Sequence, residues 1–97
     1  MVQGQTYQQD ATTYVLNRRE AGNVIADILL YAKREKRVGI HGNGTGVIIS
    51  YEDGKPSHFR SSVLAELVIG DDLTLRVYDT SLLSDRLRAI AQRYSFR

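Results

Sequence analysis

From Arg37 to Asp79 the chain breaks into short β-prone runs, and the links between them admit only antiparallel neighbours. RVGIH is followed by GNGTG, VIISY by EDGKP, HFRSSVLAELVI by GDD, and LTLRVYD closes the series. A parallel pair needs a crossover of about a dozen residues or more, which links this short do not supply. VIISY is β-branched and aromatic. LTLRVYD alternates, with Leu73, Leu75 and Val77 on one side and Thr74, Arg76 and Tyr78 on the other. HFRSSVLAELVI is ambiguous over residues 61–69: Val63, Leu64, Leu67 and Val68 fit a helical stripe, Val63, Ala65, Leu67 and Ile69 fit a strand, and the Asn/Asp/Gly turns that bound it closely favour mostly strand.

Helices flank this region. In NRREAGNVIADILLYAKREKR, Asn17 is a suitable N-cap and Glu20 stands at capping-box spacing. Ala21, Val24, Ile25, Ile28, Leu29 and Ala32 fall on one face at helical period, and Lys33, Arg34, Lys36 and Arg37 supply cations for the last turn. The second helix is expected over roughly Ser81–Tyr94. Asp79, Thr80 and Ser81 are its candidate caps, and Leu83, Leu87, Ile90 and Tyr94 form its apolar stripe. One stripe per helix and one apolar sheet face predict an α+β two-layer sandwich: N-terminal helix, about four antiparallel strands in hairpins, C-terminal helix. Residues 1–97 read as one domain, with 1–13 a loose polar tail in which Thr12–Leu16 has the character of a short edge strand.

Ninety-seven residues, 42% hydrophobic, suffice for such a core without covalent staples. The chain lacks cysteine, which excludes disulfides and thiol chemistry. It has no apolar run of the ~18 residues a membrane span needs, and MVQGQTYQQD does not resemble a signal peptide. A soluble, cytoplasmic protein is expected. The net charge is +2, and ten of the thirteen basic residues are arginine. Arginine suits phosphates and carboxylates, although a compositional bias would give the same count.

The motif that most invites a functional reading is HGNGTG, His41–Gly46. Gly42, Gly44 and Gly46 lead into a strand rather than a helix, and neither the P-loop nor the G-x-G-x-x-G spacing is present. Asn-Gly between β runs is a hairpin signal, yet three glycines exceed what a tight turn requires, and bare backbone approaches a ligand closely. The first expectation is therefore a non-catalytic, homo-oligomeric binding protein without a cofactor. It would bind a phosphate-bearing small molecule through His41, Gly42, Asn43, Gly44, Thr45 and Gly46, with Arg37 and Arg60 as counter-charges. His41 and His58 with Glu52 or Asp53 lack the ligand spacing of a metal site, and nearby serines are what turns ordinarily contain.

Two alternatives use other residues. A nucleic-acid module would use the outward row with Arg76 and Tyr78 and the helical arginines Arg86, Arg93 and Arg97. The same residues also describe a covered sheet face and a solvated helix flank. A protein-interaction domain, such as a small inhibitor of the mobile-element type, would use Leu30, Tyr31 and the C-terminal aromatics. Leu30 lies off the core stripe of the first helix and Tyr31 at its boundary. This pair is also the expected subunit interface.

Overall fold

The computed structural model describes residues 11–42, 44–51, 63–78 and 82–95. Asn43, His58, Arg60, Arg97, the EDGKP turn and the candidate caps Asp79–Ser81 lie outside these residues. The fold is α+β. Strand β1 (Ala11–Leu16) is followed by a 3-10 turn (Arg18–Glu20), helix α1 (Ala21–Arg34), strands β2 (Val38–Gly42), β3 (Gly46–Tyr51), β4 (Val63–Ile69) and β5 (Leu73–Tyr78), and helix α2 (Leu82–Arg93).

All strand pairs are antiparallel, in the order β1-β5-β4-β3-β2. The sheet has five strands where hairpin signals predict about four. The added member, β1, includes Ala11–Thr13 of the expected tail and pairs Leu16 with Leu73 and Ala11 with Tyr78. That partner lies some sixty positions away, so no local turn signal reports it. Val63–Ile69 is a strand, as its flanking turns predict. Its ladder to β3 slips between Ile49 and Ser50, leaving Leu64 as an extra residue, and Leu64 and Ala65 are both buried. This is what a bulge does when two residues oppose one.

Leu73, Leu75 and Val77 have no exposure and form the centre of the core with Ile49, Leu67, Val24, Ile28, Leu87 and Ala91. Period-2 and period-3.6 apolar patterns thus meet in one layer, as the alternation predicts. The N-terminal cap differs from expectation. Asn17 accepts from the Arg19 N–H at 3.1 Å and caps the 3-10 turn, while Glu20 accepts from the Asn23 side chain rather than closing a capping box. The Asn17 N–H is already donated to the Tyr94 carbonyl at 3.0 Å. Helix α1 stops at Arg34, so Lys36 and Arg37 lie beyond it. Leu29, assigned to the core stripe by periodicity, is 51% exposed. Within α2, Ser84 is fully buried, and its hydroxyl donates to the Tyr78 carbonyl at 2.6 Å, tying the start of the helix to the end of β5.

Candidate functional site

The two helices lie antiparallel on one face of the sheet. The Tyr31 hydroxyl donates to the Leu83 carbonyl at 3.1 Å, joining the end of α1 to the beginning of α2. At the opposite end, the Tyr94 hydroxyl donates to Asp27 Oδ2 at 2.7 Å, and Arg93 pairs with the same oxygen at 3.3 Å. Between these ties runs an open groove of about 630 Å³ on the outer surface of the helical layer. Leu30, Leu83, Ala89 and Ile90 give it an apolar lining, and Arg34, Arg37, Arg86 and Arg93 line it with Asp27 and Glu35. Four cations against two anions leave the groove positive.

The charges are not equally committed. Arg37 holds Glu35 through two side-chain bonds of 2.8 and 2.9 Å, a bidentate fork. These bonds hold the Glu35 carboxyl down at about 2, and the same pairing raises the already high Arg37 value further. Burial raises the Tyr31 phenol, with the Glu35 charge adding to it and the Arg86 charge opposing it. Arg86 also lowers Glu35, so it lies within electrostatic reach of both groups. The Tyr94 phenol is raised chiefly by its bond to Asp27. Arg34 and Arg86 form no ion pair among the described residues, one on each helix. Arg34 neighbours Glu35 in sequence, which places it at the Arg37 end of the groove.

The glycine turn has a different explanation. Gly44 has φ +88°, a left-handed conformation that an L side chain adopts at a cost. At Gly46 a Cβ would stand 1.8 Å from the Leu67 carbonyl oxygen, because β4 passes directly against it. The excess of glycine over a minimal turn is therefore met by one backbone conformation and one close strand approach. His41, Gly42, Gly44, Thr45 and Gly46 sit together at one end of β2 and β3, and Arg37 sits at the other end of β2. Five residues of strand separate Arg37 from Gly42, about 17 Å. The structure does not bring the two halves of the expected ligand site together.

The nucleic-acid candidates are also divided. The Arg76 guanidinium stacks over the Tyr78 ring at 5.4 Å on the sheet face turned away from the helices, where Glu66 is the cross-strand neighbour of Arg76. Arg86 and Arg93 belong to the helical layer on the other side. Leu30 is 47% exposed, in keeping with its position off the stripe, whereas Tyr31 is half-buried and spends its hydroxyl within the chain. Sequence reasoning missed Arg34 as a groove residue and placed Arg86 with Arg93 and Arg97 in a nucleic-acid-binding stripe of the second helix. The signal available was their shared arginine chemistry on separate helices, but helix pairing was needed to unite them. Among the described residues no three His, Asp or Glu side chains converge, and no helix is long and apolar enough to cross a membrane.

Comparison with protein-family models, with curated proteins and with solved structures finds no match for this chain.

Proposed function

We propose that this chain is a non-catalytic binding domain whose ligand is a phosphate-bearing small molecule seated in the interhelical groove. The observation that carries the reading is the pair Arg34 and Arg86. They come from different helices, line one groove together with Leu30, Leu83, Ala89 and Ile90, and have no ion-pair partner among the described residues. A phosphate accepts charge-assisted hydrogen bonds from guanidinium groups of this kind, and the neutral Arg37–Glu35 pair frames the same end. The body of the ligand lies against Leu30, Ala89 and Ile90. Pockets that bind small molecules combine such an apolar lining with a few placed polar groups. The glycine turn is then a structural hairpin and takes no part.

Thermal-shift titration with inorganic phosphate and with a nucleoside monophosphate tests this. A ligand that binds only the folded chain raises its melting temperature with concentration. Arg34→Ala and Arg86→Ala are expected to melt like the parent protein without ligand and to bind about 10- to 100-fold more weakly, the effect of losing one hydrogen bond to a charged group. Absence of any anion-dependent shift, or a shift that survives both substitutions, refutes the assignment.

A further inference from the structure

The groove between the helices has two unlike ends. Asp27 and Arg34 are seven residues apart on α1, and Arg86 and Arg93 are seven apart on α2. Two helical turns separate the members of each pair, about 10 Å along the axis, and all four residues line the same groove. Because the helices run antiparallel, Asp27 meets Arg93 and Tyr94 at one end, while Arg34 and Arg86 serve the other. Hydrogen bonding divides the Asp27 carboxylate. Its Oδ2 takes both the Tyr94 hydroxyl at 2.7 Å and the Arg93 guanidinium at 3.3 Å. Its Oδ1 receives no hydrogen bond among the described residues, although an ionised carboxylate accepts on both oxygens. The side chain is tied across the helices by Tyr94 and is still 28% exposed. A held acceptor with one uncommitted oxygen therefore lies at the end of the groove remote from the arginine pair.

We infer that the ligand carries, at the end remote from its phosphate, a neutral hydrogen-bond donor that Asp27 Oδ1 receives. This rests on the phosphate reading of the groove and adds the chemistry of its far end. Charge decides which donor fits. Arg93 already shares the carboxylate, so an ammonium group there would meet a guanidinium at close range and lose much of what Asp27 offers. A neutral N–H or O–H gains a bond to a charged acceptor without that repulsion. The carboxylate and the bound phosphate stand about 10 Å apart along α1, roughly one screening length at physiological salt, so the repulsion between them is slight.

Size and lining narrow the class. The groove volume of about 630 Å³ falls within the roughly 300–1,000 Å³ of small-molecule sites. Between its two ends α1 offers Leu30, and α2 offers Ala89 and Ile90. That surface suits an apolar ring face rather than a second charged group, so a diphosphate chain would set charge against Leu30 and Ile90. A phosphate, a ring with an apolar face and an amine on the far edge of the ring, in that order, describe a nucleoside monophosphate whose base bears an exocyclic amine. Inorganic phosphate satisfies the arginine end alone.

Isothermal titration of the full chain with adenosine monophosphate and with purine riboside monophosphate, which lacks only the exocyclic amine, tests the inference. Adenosine monophosphate is expected to bind about 10- to 100-fold more tightly, the effect of one hydrogen bond to a charged acceptor. Asp27→Asn keeps an oxygen for the Tyr94 hydroxyl but sets an amide N–H₂ in place of Oδ1, and it is expected to bring the ratio of the two affinities close to one. Equal affinities in the parent protein, both weakened by Arg34→Ala, overturn the Asp27 assignment and leave the arginine site standing. A preference that survives Asp27→Asn overturns it as well, since the amine then bonds elsewhere. Absence of binding by both nucleotides and by inorganic phosphate overturns the arginine site and this inference with it. The ratio measured on the parent protein remains decisive even if Asp27→Asn folds poorly.

Discussion

Substituting Gly46 by alanine should break the sheet where β3 meets β4. The added Cβ would lie 1.8 Å from the Leu67 carbonyl oxygen, 2.9 Å from its carbon and 3.1 Å from the Val68 Cα. All three atoms are backbone, so no flexible side chain can yield. Ordinary contact begins at 3.4 Å, and 3.4 less 1.8 leaves a deficit of about 1.6 Å. Strands forced apart by that much lose the hydrogen bonds around the site, because an N–H···O bond tolerates only a few tenths of an ångström. Overpacking costs about 1–3 kcal/mol, and each lost bond about 1 kcal/mol more, for a total near 3–5 kcal/mol. For a domain of this size each kcal/mol lowers the melting temperature by about 4–8 °C, so a fall of at least about 12 °C is expected. Two other glycines serve as controls. Gly44→Ala has open space around the Cβ but keeps φ at +88°, which costs about 1–2 kcal/mol. Gly22→Ala, exposed in α1 with nothing near the added methyl, should stabilise by about 0.5–1 kcal/mol. Thermal melting by circular dichroism ranks the three. A Gly46→Ala protein that melts within about 3 °C of the parent would refute the register of β3 against β4, and with it the structural explanation of the glycine turn.

Two further outcomes are expected. Ser50 is 3% exposed, and its Oγ has no hydrogen-bond partner among the described residues; Ser50→Ala should therefore leave stability unchanged or raise it by about 1 kcal/mol in urea unfolding, and a loss of that size would show the hydroxyl to be satisfied. Glu35, held at about 2 against its ordinary 4.5 by Arg37, contributes its full share above about pH 4.5 and loses it as the pH falls towards 2, because the unfolded chain takes up the proton first. With Arg37 55% exposed the effect is small, and Glu35→Gln should flatten the acid limb of melting temperature against pH; parallel curves for parent and variant would show that the pair adds nothing.

Local chemistry in the sequence determined the hairpins and the two helices. Turn residues at short spacing left β2–β3 and β4–β5 no choice but antiparallel pairing, and the alternation of Leu73, Leu75 and Val77 fixed which face of β5 is buried. Helical periodicity placed Val24, Ile28 and Leu87 in the core for the same reason: each pattern is a property of neighbouring residues. The rest required contacts between distant segments. Whether β1 joins the sheet depends on β5, since Leu16 finds Leu73 only after the intervening chain has folded. Leu29 belongs to the apolar stripe by period, yet it is exposed, because among the described residues the sheet beneath it ends at β2. Three glycines in six residues carry no record of why they are there; the approach of β4 to Gly46 and the left-handed turn at Gly44 supply the reason. The arginine groove is likewise invisible along the chain. Arg34 and Arg86 are 52 positions apart, and only the antiparallel packing of α1 on α2, tied by Tyr31 to Leu83 and by Tyr94 to Asp27, brings them to one surface.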